Sequence, residues 1–282
     1  MSAIPIPTPM PAGAKGARAL HEVTCRVLSN TLENGEYRLL TLAAPPKVLD
    51  CAPGQFFHLL CPVTGADQPY LRRPMSIYGY DARAGRLMFL YKVTGAGTRA
   101  LATLEPGDGL NILGPLGHGF SIRDGWQNLL LVARGVGLAT LAPLAQEAQR
   151  LGRGLTAICS ARSPDLLMST DHFKGLGARV ITVTDSEGTS GMETLRALIE
   201  GEVALGRADA IYTCGSNRIM ALLQEICRAR DIPGEIALEQ QMACGLGMCQ
   251  CCVRSFRRGG AVVQERVCRE GPVFDLSEAM PW

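Results

Sequence analysis

The chain has 282 residues, enough for more than one domain with a sizeable buried core. At 47% hydrophobic and 19% charged residues it is globular rather than disordered. A formal net charge of +2, with no basic run interleaved with aromatics, argues against a nucleic-acid-binding protein.

Residues 1–20 open with MSAIPIPTPMPAGAKGAR, rich in Pro and Ala. They read as a flexible tail without the apolar segment of a secretory signal. From 21 to 123 the sequence predicts short strands: VTCRVLSN, YRLLTLAA, QFFHLLCP, MSIYGYD, LMFLYKV and LNILGP. Turn signals separate them, such as Glu33-Asn34-Gly35 and Pro106-Gly107-Asp108-Gly109. Regular strand spacing with Gly/Pro turns predicts an antiparallel β-barrel or sandwich. Within it, Arg72-Arg73-Pro74-Met75-Ser76 opens a strand, and Gly95-Ala96-Gly97-Thr98 precedes a helix-like segment, RALATL. Backbone amides at such a turn suit a pyrophosphate.

The pattern changes near Trp126. Residues 128–133, NLLLVA, form a continuous apolar run of the kind buried in a parallel sheet. The turn Arg134-Gly135-Val136-Gly137 follows, and then a helix, LATLAPLAQEAQRLG. Strands LTAICSA, ARVITVTD and DAIYTCG and helices METLRALIEGEV and NRIMALLQEICRAR complete the segment from 124 to 233. Alternating strands and helices predict a doubly wound α/β domain. The region from Leu129 to Ala145 is broken by Arg134 and glycines, so no membrane span is expected there.

From 234 to 282 cysteines dominate, and ACGLGMCQCC holds four of them within nine residues. Cys244, Cys249 and Cys252 are spaced C-x4-C-x2-C, with Cys268 downstream. This is the plant-type ligand pattern of a [2Fe–2S] cluster. Cys251 breaks the spacing and is left over. A structural zinc site is the alternative, although Cys268 has no close cysteine partner to complete a second short spacing. Eleven cysteines, an odd number, fit thiols in a reducing cytosol better than a disulfide framework.

Taken together, RRPMSI, LYKVTGAGT, LGPLGHGF, GVGLATLAPLA, YTCGS, the cysteine loop and RVCREGPVFD resemble the ferredoxin–NADP reductase superfamily. Within it, they resemble the iron–sulfur electron-transfer subunits of class 1B dihydroorotate dehydrogenase. The resemblance implies three units in order: an FAD barrel, an NAD(P) domain and a small [2Fe–2S] domain. It implies that Arg73 meets the flavin phosphates and that Ser76 meets the isoalloxazine, with Pro74 and Met75 in the same FAD-site run. Leu90, Tyr91 and Lys92 would line the FAD, and Gly97 and Thr98 would hold its pyrophosphate. Gly135, Gly137, Cys214 and Gly215 would form the pyridine-nucleotide site. Cys214 also reads as a buried strand-end cysteine, and Asp185 as either a ribose contact or a helix cap. The family's nucleotide turn is a run of glycines. Here Ala133 and Arg134 replace two of them, so Arg134 is open between a phosphate contact, an obstruction and a partner-facing residue.

The implied function is electron transfer between NAD(P)(H), FAD, the cluster and a partner, an FMN-containing dihydroorotate dehydrogenase-type catalytic subunit. No residue of this chain is then expected to act as a general acid or base. A self-contained NAD(P)H reductase for a soluble acceptor and a zinc-stabilised binding module are the competing readings. The isolated histidines His21, His58 and His172 carry no assignment, and His118 lies in the LGHGF loop.

Overall fold

The computed structural model describes residues 19–281. The tail predicted over 1–20 therefore lies outside the described residues, apart from Ala19 and Leu20. The first unit runs through β1 (His21–Leu32), β2 (Tyr37–Ala43), helix α1 (Pro46–Leu49), β3 (Phe56–Leu59), β4 (Arg73–Ser76), β5 (Gly79–Asp81), β6 (Arg86–Lys92), α2 (Ala96–Ala102) and β7 (Gly109–Leu116). Its strands form a curled antiparallel sheet in the order β4-β3-β7-β1-β2-β6-β5. Alternate residues point inward, as the period of two requires, and Val27, Leu40, Phe57, Phe89 and Tyr91 form the barrel core.

The predicted single strand MSIYGYD is two strands, β4 and β5, at opposite edges of this sheet. Ile77 is buried in the barrel core and its amide donates to the Gln55 carbonyl, while the Tyr78 amide donates to Met88. The chain thus changes partner strand between Ser76 and Gly79. The short helix α1 and, further along, the helix Thr170–Gly175 also went unpredicted.

The second unit contains β8 (Asn128–Arg134), α3 (Gly137–Arg150), β9 (Gly154–Ala161), α4 (Thr170–Gly175), β10 (Arg179–Thr184), α5 (Met192–Ala204), β11 (Ala210–Cys214) and α6 (Asn217–Arg230). Helix α6 shows how the sequence sets its own limits. The Ser216 hydroxyl accepts from the Ile219 amide at the start. Arg228 and Arg230 lie in the last turn, and Asp231 ends the helix in the left-handed region. Leu129, Leu130 and Leu131 of β8 have no exposed surface, so each contributes about 1.5–3 kcal/mol of apolar burial.

The sheet does not stop at residue 233, where the sequence placed a boundary. β12 (Gly234–Ala237) pairs in parallel with β11, and β15 (Val273–Asp275) pairs antiparallel with β12. The order is β10-β9-β8-β11-β12-β15. The cysteine segment is thus bracketed by two strands of the nucleotide-type sheet, and it holds its own hairpin of β13 (Val253–Arg258) and β14 (Ala261–Arg266). Phe56 and Leu116 of the barrel, Ile236 of the sheet, and Cys252, Phe256 and Cys268 share one core. Among the described residues no helix is long and apolar enough to cross a membrane.

Candidate functional site

The cysteine loop is shaped by backbone that only glycine adopts freely. Gly245 has φ +70° and Gly247 φ +80°. A Cβ on Gly247 would lie 2.6 Å from Arg269 Cδ, and one on Gly245 would lie 2.8 Å from His58 Nε2. Arg266 Nη1 braces the loop by donating to the Gly247 carbonyl at 2.9 Å.

The thiols group in two pairs. Cys244 accepts from the Leu246 amide at 3.3 Å and is hydrogen-bonded to Cys249. Burial pushes the Cys244 thiol up, but the amides of Cys249, Leu246 and Met248 and the Cys249 thiol outweigh it and hold it at about 6. Cys252 accepts from the Cys268 amide at 3.4 Å, and the two thiols are hydrogen-bonded to each other. Burial and then this neighbour push Cys268 up to about 12. Among the described residues no three His, Cys, Asp or Glu side chains close on one point as a single ion requires. Two pairs of thiols are instead what a two-iron centre with four cysteine ligands needs. Cys251 is exposed and takes no part in these contacts.

The barrel presents β4, the end of β6 and the turn into α2. A Cβ on Gly97 would lie 2.5 Å from Arg73 Nε, so the glycine lets this guanidinium lie across the turn. The Thr98 hydroxyl accepts from the amides of Thr94 and Gly95 at 2.9 and 3.1 Å. It therefore shapes the turn, and what Thr98 offers a phosphate is its first-turn backbone amide. These residues fit an FAD pyrophosphate. Pro74, Met75 and Ser76 continue the same strand, with Met75 packed against the barrel core.

Tyr91 requires a correction. Its ring is 2% exposed inside the barrel and its hydroxyl donates to Asn30 Oδ1 at 3.0 Å. Strand alternation turns it away from its neighbours. Leu90 packs with Tyr37 and Cys214, and Lys92 lines the cleft between barrel and α/β sheet.

That cleft has a volume of ≈ 210 Å³ and is bounded by Glu36, Tyr37, Lys92, Arg134, Gly135 and Arg162, among others. Glu36 bridges its two sides, bonding Lys92 Nζ at 2.6 Å and Arg162 Nη2. Hydrogen bonds from Lys92 and Arg162 hold its carboxyl below the usual range. Three cations and one acid give the cleft a net positive character suited to a diphosphate.

The nucleotide turn closes this cleft at the carboxyl ends of β8 and β11, the switch point of the sheet. Gly135 has φ +56°. A Cβ on Gly137 would lie 2.7 Å from the Cys214 carbonyl, so the predicted Gly137 and Cys214 do meet. Gly215, φ +92°, lets the chain turn after β11. Cys214 is fully buried and burial raises its thiol far above the usual range. Arg134 meets Asp185 in a two-pronged ion pair at 2.5 and 3.0 Å, and also donates to Ser160 Oγ at 3.0 Å. Asp185, predicted as a ribose contact or a helix cap, holds Arg134 and accepts from Ser190.

Four residues at these sites were missed. Glu36, Tyr37 and Arg162 carry no local motif. His58 seemed isolated because its neighbours come from distant segments. Burial first, and then Arg72, lowers His58 to about 4.

Two segments of the chain match known protein families. Residues 24–120 match the oxidoreductase FAD-binding domain. Residues 239–279 match the iron–sulfur cluster binding domain of dihydroorotate dehydrogenase B. A solved structure of an NADH-dependent reduced ferredoxin-NADP oxidoreductase superposes with TM-score 0.73 at 26% identity, covering 94% of this chain and 91% of that one. The dihydroorotate dehydrogenase B (NAD(+)) electron transfer subunit of Desulforamulus reducens is 33% identical over 82% of this chain and 87% of its own length. The subunit of the same name from Caldanaerobacter subterraneus subsp. tengcongensis is 34% identical over 92% of this chain and 98% of its own. With barrel, sheet and cysteine loop all accounted for, the chain belongs to the family of dihydroorotate dehydrogenase B (NAD(+)) electron transfer subunits.

Proposed function

We propose that this protein is the electron-transfer subunit of a dihydroorotate dehydrogenase-type complex, linking NAD(H) or NADP(H) to an FMN-containing catalytic subunit. The observation that carries the reading is the set of four thiols in two pairs, one of which, Cys252 and Cys268, packs in one core with the FAD-domain residues Phe56 and Leu116. Bound FAD would interconvert a hydride with single electrons, and a bound [2Fe–2S] cluster would pass them singly. The chain's own residues bind and orient. Cys244, Cys249, Cys252 and Cys268 are the cluster ligands, with Cys251 outside the set. Arg73 and the amides of Gly97 and Thr98 hold the FAD pyrophosphate, while Pro74, Met75, Ser76, Leu90 and Lys92 border the flavin. Gly135 and Gly137 let a nucleotide diphosphate approach α3, and Cys214 and Gly215 shape the nicotinamide end.

Cys249 is exposed and Met248 is 82% exposed, so one end of the cluster site meets the surface where a partner chain can dock. All eleven cysteines are free thiols, which supports a reducing, cytoplasmic setting.

The experiment is anaerobic purification, alone and coexpressed with the catalytic subunit. The protein should carry about one FAD and two irons per chain. NADH or NADPH should bleach its flavin, and the two chains should copurify. Stoichiometric zinc with neither flavin nor iron overturns the reading.

A further inference from the structure

His58 is 1% exposed and lies on β3. Its neighbours Phe57 and Leu59 point into the barrel core, whereas Phe56 lies in the core that contains Cys252 and Cys268. Alternation along the strand puts His58 on the Phe56 face. Neither Nδ1 nor Nε2 has a hydrogen-bond partner among the described residues. Buried polar groups are nearly always paired, so an imidazole with both nitrogens unpaired requires a specific reason. Packing does not supply one, because a leucine or phenylalanine would fill the same space.

The ring's surroundings narrow the choice. Arg72 Nη1 approaches the His58 carbonyl at 3.4 Å, but a guanidinium is no acceptor. The Phe56 ring lies 5.8 Å away. The remaining face meets Gly245, where a Cβ would lie 2.8 Å from Nε2, 2.9 Å from Cε1 and 3.1 Å from Cδ2. Gly245 directly follows Cys244. Across the β3–β4 ladder, His58 is opposite Pro74 of the RPMS run. One side chain therefore joins the strand assigned to FAD to the loop assigned to the cluster.

We infer that His58 tunes the cluster: its imidazole N–H donates from the FAD barrel to a sulfur at the loaded site, the Cys244 thiolate or a bridging sulfide. This rests on the reading that the four cysteines hold a [2Fe–2S] cluster. Thiolate and sulfide sulfurs are acceptors, and reduction adds negative charge to them. A donor at sulfur therefore stabilises the reduced state more than the oxidised one and raises the potential. Glycine at 245 is what allows the ring to come this close.

The test uses the purified holoprotein and its His58→Leu and His58→Gln variants. Iron and FAD content, an EPR-monitored redox titration, and pulsed EPR on protein carrying ¹⁵N-histidine are measured. In His58→Leu the equilibrium constant for reducing the cluster should fall about tenfold, the effect of losing one hydrogen bond to a charged acceptor. That is a fall of about 59 mV for a one-electron couple. The FAD potential should hold, and His58→Gln should recover part of the loss. The ¹⁵N coupling to the reduced cluster should be present in the parent protein and absent in His58→Leu. If His58→Leu keeps its iron and its cluster potential is unchanged, the inference is overturned. If His58→Leu loses its iron, the parent protein decides: no ¹⁵N coupling overturns the inference, and coupling that His58→Gln abolishes supports it. Parent protein that binds no iron overturns the cluster reading itself, a separate and visible failure.

Discussion

The cysteine loop and the nucleotide turn are both built on glycines, but different things fill them. In the loop, four thiols from residues 244–252 and Cys268 face one another in two pairs. In the turn, the charge nearest the glycines belongs to Arg134, and it is already closed on Asp185, 51 residues away. Three of these four thiols are thus brought together by spacing within one short loop, and Cys268 joins them after a hairpin. A nucleotide site depends on charges that separate strand ends bring together, and here one cation is held by an acid.

The largest effect should come from the cysteines. Cys252→Ser should lose its iron almost completely, since a serine oxygen is a poorer ligand for this metal than a thiolate. Cys251→Ser should keep both iron and the EPR signal of the reduced protein. Anaerobic flavin bleaching by NADH or NADPH should survive in both. The reverse pattern of iron loss would mean that the loop binds in another register.

The glycines test the same contrast one step down. Gly245→Ala forces a positive φ on a side chain that meets His58, and Gly137→Ala pushes a Cβ against the Cys214 carbonyl. Each should cost about 1–3 kcal/mol of stability by thermal or denaturant unfolding. Gly245→Ala should lower iron content and leave the Michaelis constant for the nucleotide alone, whereas Gly137→Ala should do the opposite. Equal effects on both readouts would erase the distinction between the two regions.

The Arg134–Asp185 pair is solvent-exposed, so its effect should be smaller, within about fivefold on a Michaelis constant. Arg134→Gly removes a cation from the cleft and should raise the constant for the pyridine nucleotide. Asp185→Asn frees that cation and should lower it. FAD and iron should be unchanged in both variants. Unaltered nucleotide kinetics would remove Arg134 from the site.

The smallest expected effect concerns the strand that joins the two regions. Glu235 of β12 accepts from the Ser121 amide at 2.9 Å and from its hydroxyl. Burial raises its carboxyl above the usual range, against the pull of the Ser121 donors and Arg123. A raised folded-state value favours the protonated form. The stability it contributes is full below the unfolded value near 4.5 and is lost as pH rises through the higher folded value. Glu235→Gln should flatten this part of the stability profile, followed as Tm across the acidic range. An unchanged slope would place the pH dependence elsewhere.

Much of this molecule was legible in order along the chain. The apolar run at Leu129–Ala133, the helix from Asn217 to Arg230 and the cysteine spacing are local patterns, and local patterns survive into the fold. What failed was non-local. MSIYGYD has the composition of one strand, yet Ile77 packs into the barrel core and the chain changes partner strand after it. Tyr91 sits in the middle of a motif, but its place in the two-residue alternation sends the ring into the core. The boundary at 233 was drawn where composition changes, whereas hydrogen bonding carries the sheet on through β12 and β15.

The sequence by itself determined the spacing of the cysteines, the glycine turns and the succession of barrel, α/β sheet and cysteine segment. Each is written in local stretches of the chain, where covalent geometry and residue pattern limit what the backbone can do. Only the tertiary structure decided that Arg134 is held by Asp185, that Glu36 bridges Lys92 and Arg162, and that His58 stands against Gly245. Such contacts arise when packing brings distant strands within a few ångströms, and no spacing along the chain encodes that distance.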